Sequence, residues 1–230
     1  MNPDLQNTYG YTNDNALIRH RVLRNTYFLL ALSMVPTVLG AWLGVQMQFS
    51  LLAGSPFLGF IVFMAIAFGF FYAIEKTKNS GIGVLVLLAF TFFMGIMLSG
   101  LIRHTLGFSN GPQLIMTAFG GTAAIFAVMA SIATVSKRDF SGMSKWLFVG
   151  LLVIIAASVA NIFLQLPAMH LAISVIAIGI FSAYILYDVQ QIINGGETNY
   201  ISATLRIYLD VYNIFANLLS ILGIFGGDRD

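Results

Sequence analysis

The stretch FSAYILYDVQQI, residues 181–192, reads as a membrane helix yet carries an aspartate, Asp188, in its last turns. A second stretch, LRIYLDVYNIF at residues 205–215, repeats the pattern with Arg206 and Asp210 inside another apolar run. An ionisable group at such a depth is costly and needs a partner, so each run asks where its charge goes. Apolar runs of about the 20 residues that cross a hydrocarbon core also occur near residues 27–45, 56–74, 82–101, 112–135 and 146–166, and the final two span 168–187 and 201–225. None alternates like a barrel strand, and lipid offers no partner to open backbone groups, so each is expected to be a helix.

The rest of the chain agrees with an all-α integral membrane protein of seven transmembrane helices. It has 230 residues, 58% hydrophobic and only 9% charged, with a mean hydropathy of +0.87, far from the composition of soluble domains. The absence of cysteine excludes disulfides, a thiolate nucleophile and a cysteine-based metal site. A net charge of +2 gives no footprint for nucleic acid. The first eighteen residues are polar and lack the apolar core of a cleavable signal, so the expected division is a polar N-terminal tail (1–26), a transmembrane domain (27–225) and a short C-terminal tail (226–230). Short connections rich in Pro and Gly point to one bundle.

Basic residues sort by side. Arg19, Arg21, Arg24, Lys76, Lys78, Lys137, Arg138 and Lys145 flank one set of span ends, against Arg103 and Arg229 on the other. The positive-inside rule then expects a cytoplasmic N-terminus and a periplasmic C-terminus, in the bacterial inner membrane. The loop between the last two spans fits poorly, for it holds Glu197 and no Lys or Arg.

If the last two spans form a hairpin, Asp188 and Asp210 lie roughly 9 and 14 Å from the same surface, at about 1.5 Å per residue. Helical spacing aligns them with Tyr184 and Gln191 on one helix, and with Arg206, Asn213, Asn217 and Ser220 on the other. An Arg and an Asp mid-helix cost about 5–7 kcal/mol to insert, against about 4–8 returned by the apolar residues. The seventh span is therefore expected to be surrounded by other helices. Two readings of the carboxylates stay open. Arg206, Asp210 and Asp188 form an ion cluster that only fixes packing, or the carboxyl groups are a coupled pair that shares a proton, a pH sensor and gate tuned by Arg206. An ionised pair would attract a hard cation such as Ca²⁺, with the two asparagines and tyrosine hydroxyls as further oxygen donors; Arg206 favours transient passage over storage.

Other signals have plainer explanations. GFSNG, residues 107–111, matches a serine-nucleophile pattern but lies in a loop between membrane helices, so it reads as a turn and no enzyme is expected. His20 and His170 sit alone near span ends, as interfacial residues. GAWLG, residues 40–44, and the small residues at 120–124 suit close helix packing.

FSAYILYDVQQI, followed by NGGETNYISATLRIYLDVYNIFANLLSILG, resembles the C-terminal signature of the transmembrane Bax inhibitor motif family, and NGGETNYI is similar to its bacterial YccA-like branch. The resemblance is specific over the last fifty or so residues; FTFFMG, residues 90–95, looks like the family's third span. It implies six helices around a central C-terminal seventh, and a pH-sensing calcium-leak pathway whose aspartate pair corresponds to Asp188 and Asp210, with calcium as the permeant ion rather than a cofactor. It also implies a partner, a membrane-bound AAA protease of the FtsH type, for which residues 1–15 are a candidate contact. Two departures bear on the leak. The basic latch of the leak-type members is missing from AIEKTK at residues 73–78, where Glu75 and Lys76 are the available substitutes. The acidic residue that those members carry within the second span is also missing from residues 56–74; conversely, Arg206 stands where a small or neutral residue is expected.

Overall fold

The structure, a computed structural model, describes residues 3–49 and 56–227, with side chains from Ile18 onward. The expected protease contact in residues 1–15 and the charge of Arg229 lie outside the described side chains. The elements are α1 (Pro3–Gln46), α2 (Pro56–Thr77), α3 (Gly81–Leu106), α4 (Gly111–Val135), α5 (Ser144–Leu164), α6 (Pro167–Asn194) and α7 (Tyr200–Gly226), with one 3₁₀ turn at Ser141–Met143. All seven helices are long and apolar enough to cross a membrane. The segment expected to be a tail is helical from Pro3 and continuous with the first span, which covers Ile18–Gln46. Proline at the start of a helix costs nothing, because its missing N–H would be unpaired there anyway.

α7 occupies the middle of the bundle. It packs on α6, α4, α1 and α3 and more lightly on α2, whereas α5 packs on α6 at the periphery. Composition follows position: α7 is the least apolar of the seven spans and α5 the most. Ile207, Tyr208, Ile214 and Leu219 of α7 are fully buried, against Phe90 and Leu87 of α3 and Ile185 and Val189 of α6. Large apolar side chains such as Phe28, Trp42, Phe68, Val135 and Trp146 point outward, where lipid rather than water meets them.

α1 and α3 approach most closely of all. A Cβ at Gly40 would strike the Phe92 carbonyl oxygen, and one at Gly95 the Thr37 carbonyl oxygen. Only hydrogen atoms fit between these backbones, which is how small residues hold helices together in lipid. Of the small residues in α4, Gly121 meets Leu218 of α7 at 3.4 Å, but nothing lies near Gly120. Hydroxyls fasten α7 to this pair: Thr37 Oγ1 and Tyr208 Oη are 2.9 Å apart, Thr37 Oγ1 donates to the Thr91 carbonyl (3.2 Å), and Tyr212 Oη donates to that of Met94 (3.2 Å).

GFSNG is a turn between α3 and α4. The Gly111 N–H donates to the Phe108 carbonyl at 3.0 Å, and Asn110 Nδ2 donates to the Gly226 carbonyl at the end of α7.

Candidate functional site: an acid pair on a membrane cavity

Both aspartates depend on a tightly built hairpin. α6 continues through Asp188 to Asn194 and stops at Gly195, whose φ of +78° is the left-handed conformation that glycine adopts without strain. Asn199 then caps α7. Its Oδ1 accepts the N–H groups of Ile201 (2.9 Å) and Ser202 (3.1 Å), while its Nδ2 donates to the Lys78 carbonyl (3.0 Å) and to Asn79 Oδ1 (2.9 Å) in the α2–α3 loop. Arg19 of α1 donates to the Ile193 carbonyl at 3.3 Å. Gln190, 5% exposed, grips the α4–α5 loop: Phe140 N–H donates to its Oε1 and its Nε2 donates to the Arg138 carbonyl, both at 2.6 Å. Three segments, α1, the α2–α3 loop and the α4–α5 loop, thus converge on the α6–α7 hairpin.

Within that frame Asp188 and Asp210 are 7% and 5% exposed, and their carboxyl groups lie within hydrogen-bonding reach of each other. Two carboxyl groups this close can bond only through a proton shared between them. Asp210 Oδ2 has no hydrogen-bond partner. Thr26 Oγ1, Ser174 Oγ and Ser202 Oγ are the other buried orphan oxygens among the described side chains, and only Asp210 belongs to the larger cavity.

That cavity measures about 730 Å³ and lies between α2, α5, α6 and α7. Tyr184, Asn213 and Asn217 line it with the two aspartates and Arg206. The asparagines also bond along their own helix, Asn213 Nδ2 to the Leu209 carbonyl and Asn217 Nδ2 to that of Asn213, each at 2.8 Å. Among the described residues no group of three or more His, Asp or Glu gathers to hold a metal ion.

Several expected members take other positions. Gln191 does not line the cavity; it lies one turn beyond Asp188, with its side chain over Gly196 in the hairpin loop. Glu75 pairs with Lys78 on the exposed end of α2, and Lys76 sits 5.4 Å from the centre of the Tyr72 ring. Glu75 continues the helical face of Phe68 and Phe71 but lies beyond Phe71, the last residue of α2 on the cavity wall, and neither Glu75 nor Lys76 lines the cavity. The ion pair of Arg206 is with Glu197, Nη2 to Oε2 at 3.5 Å, rather than with either aspartate. The acidic residue that disturbed the charge pattern of that loop therefore has its counter-charge one turn into α7.

His170 is not solitary. Its Nε2 lies 2.7 Å from Ser220 Oγ, and with His104 it lines a second cavity of about 320 Å³ at the far end of the bundle. Ser220 belongs to the polar stripe of α7, but it faces this second cavity while Asn217 faces the first. Sequence reading also missed Gln190. A lone glutamine beside Gln191 carries no signal until the α4–α5 loop folds over it.

The sequence matches known proteins along nearly its whole length. The family model described as "Inhibitor of apoptosis-promoting Bax1" matches residues 19–227. A relative from Escherichia coli K12, "Modulator of FtsH protease YccA", is 41% identical over 212 residues, covering 92% of this chain and 94% of its own. An uncharacterised membrane protein of Vibrio cholerae is 37% identical over 226 residues, with 96% and 99% covered. An uncharacterised protein of Neisseria meningitidis serogroup A is 36% identical over 222 residues, with 96% and 97% covered. A match that runs from the first basic residue before span one to the end of α7 leaves one conclusion: the chain belongs to the Bax inhibitor family.

Proposed function

We propose that the protein is a pH-sensitive cation leak, with calcium as the permeant ion, gated where Asp188 meets Asp210. The observation that carries this reading is the buried pair of adjacent carboxyl groups on the wall of a membrane cavity. With a shared proton the pair is closed on itself; when both carboxyls ionise they repel, and the freed oxygens, with Asn213, Asn217 and water, suit a hard cation in transit. Arg206, held by Glu197, is the nearby positive charge that tunes the pair. Loops rich in Lys and Arg at the hairpin end support a cytoplasmic hairpin end and a periplasmic C-terminus, and the relative named as an inner membrane protein supports a bacterial inner membrane.

Calcium flux into liposomes containing the purified protein, followed from about pH 5 to 8, tests the reading for wild type, Asp188→Asn and Asp210→Asn, since that range brackets a coupled carboxyl pair. The expected result is a pH-dependent flux that either substitution flattens. Folded protein with no flux above empty liposomes at any pH would overturn it.

A second reading rests on the name of the Escherichia coli relative: a non-transporting inner-membrane modulator of an FtsH-type protease, in which the acid pair only holds α6 to α7. Degradation of a membrane substrate by that protease, with and without this protein, tests it. Removal of residues 1–15 is expected to abolish the modulation and to leave calcium flux intact.

A further inference from the structure

The cavity has a second property that calcium passage does not use: its walls are aromatic and it faces the lipid. Phe63, Phe68, Phe71, Phe181, Tyr184 and Tyr212 all contribute to it. α2 leans on α3 and α5 leans on α6. The two outer helices come together where the Phe57 and Phe163 rings stand 5.9 Å apart. Away from that contact the rim carries outward-facing side chains, with Phe68 60% and Ile155 43% exposed and Ser158 also exposed. The opening is thus sideways, into the hydrocarbon layer, and a molecule dissolved in the bilayer reaches the cavity without crossing water.

Charge bookkeeping defines what fits. Arg206 is offset by Glu197. Asp188 and Asp210 are buried side by side on the cavity wall; two carboxyl groups this close do not both ionise, and a pair that shares one proton carries one negative charge. The cavity wall therefore carries a net single negative charge in a low-dielectric, aromatic surrounding, where a cation gains both from the carboxylate and from ring faces. The volume, about 730 Å³, is that of sites that enclose small organic molecules. Inorganic cations lack the apolar surface to match these walls, and apolar or anionic molecules lack the charge.

We propose that this cavity binds lipophilic organic monocations, admitted from the bilayer between α2 and α5, with the aromatic walls holding the apolar body and the Asp188–Asp210 pair supplying the counter-charge. The site needs no calcium conduction, so it stands or falls separately from the leak.

Tetraphenylphosphonium and tetraphenylborate are matched in size and apolar surface and opposite in charge. Equilibrium dialysis of each against the protein in nanodiscs of zwitterionic lipid, with empty nanodiscs as blank, reads the site directly. Saturable uptake of one phosphonium per chain is expected, with no saturable uptake of the borate. The double substitution Asp188→Asn and Asp210→Asn removes the remaining charge and is expected to weaken phosphonium binding by about tenfold or more. A single substitution is not expected to do so, because the other aspartate then ionises alone. Ser158→Trp fills the rim without touching the acid pair and is expected to weaken binding while thermal unfolding stays unchanged, which keeps the test decisive if the double variant fails to fold. Phosphonium uptake no greater than that of empty nanodiscs, equal saturable binding of the two ions, or wild-type affinity in the Ser158→Trp protein would overturn the proposal.

Discussion

Gln190 and Gln191 are neighbours on α6 with different fates. Gln191 shares the helical phase of Tyr184 and Asp188, yet its side chain ends over Gly196, because the cavity finishes one turn earlier. Gln190 is buried and makes both hydrogen bonds that hold the α4–α5 loop. Replacing it with leucine keeps its bulk but leaves a part-buried N–H and carbonyl without their partner, at a cost of about 1–2 kcal/mol. Gln190→Leu is therefore expected to lower the thermal midpoint in detergent and to speed hydrogen exchange at Phe140; unchanged exchange there would contradict the clamp. In the same loop Asp139 accepts the Ser141 N–H and hydroxyl, each at 2.9 Å. The backbone bond first, and the hydroxyl second, hold its carboxyl below the ordinary value of 3.8. A carboxyl lowered in the folded state contributes fully above its unfolded value and loses that contribution as pH falls through the folded one. Protection of the Ser141 amide is thus expected to be the same at about pH 7 and about pH 5 and to fail only in stronger acid.

Helix pairing makes its own demands. GAWLG marked α1 as a close-packing helix, and the structure identifies α3 as the partner that meets Gly40 through Phe92 and offers Gly95 in return. Gly95→Leu is expected to force α1 from α3 and destabilise the bundle by about 3 kcal/mol or more, read as a fall in the thermal midpoint in detergent. Gly121→Leu meets only a side-chain methyl at 3.4 Å, so a smaller loss is expected there; equal losses would refute the distinction. At the α6–α7 turn, Gly195→Ala adds a Cβ to a left-handed residue and is expected to cost about 1 kcal/mol. Because the turn sets the register of the two helices, the same change is expected to loosen the acid pair, visible as faster exchange in the following residues 196–199.

For the whole molecule the decisive property is sidedness. Arg19, Lys78, Asn79, Arg138 and Asn199 are tied to the hairpin end, so the three basic segments form one surface rather than three separate signals. Burying Glu197 against Arg206 removes the acidic exception from that surface. A C-terminal alkaline phosphatase fusion is accordingly expected to be active and a C-terminal fluorescent-protein fusion dark, as for a periplasmic terminus; the reverse result would invert the topology.

Amphipathic runs of membrane length determined the number and kind of elements, because lipid permits no other way to pair the backbone. The cost of charge in lipid made Asp188 and Asp210 stand out before any contact was known. Periodicity also placed Asn213 and Asn217 beside Asp210, since side chains three or four residues apart share a face. Choices among partners were left to tertiary structure. Arg206 could reach an aspartate on its own helix or Glu197 in the loop, and the turn geometry brought Glu197 to it. His170 looked solitary until α6 and α7 packed and presented Ser220. Glu75 and Lys76 looked available to the site, but the α2 side of the cavity ends at Phe71, and beyond it they pair with Lys78 and the Tyr72 ring instead. The cavity had no signature at all, because it is the space left where α2 and α5 fail to meet, and such a gap depends on every helix at once.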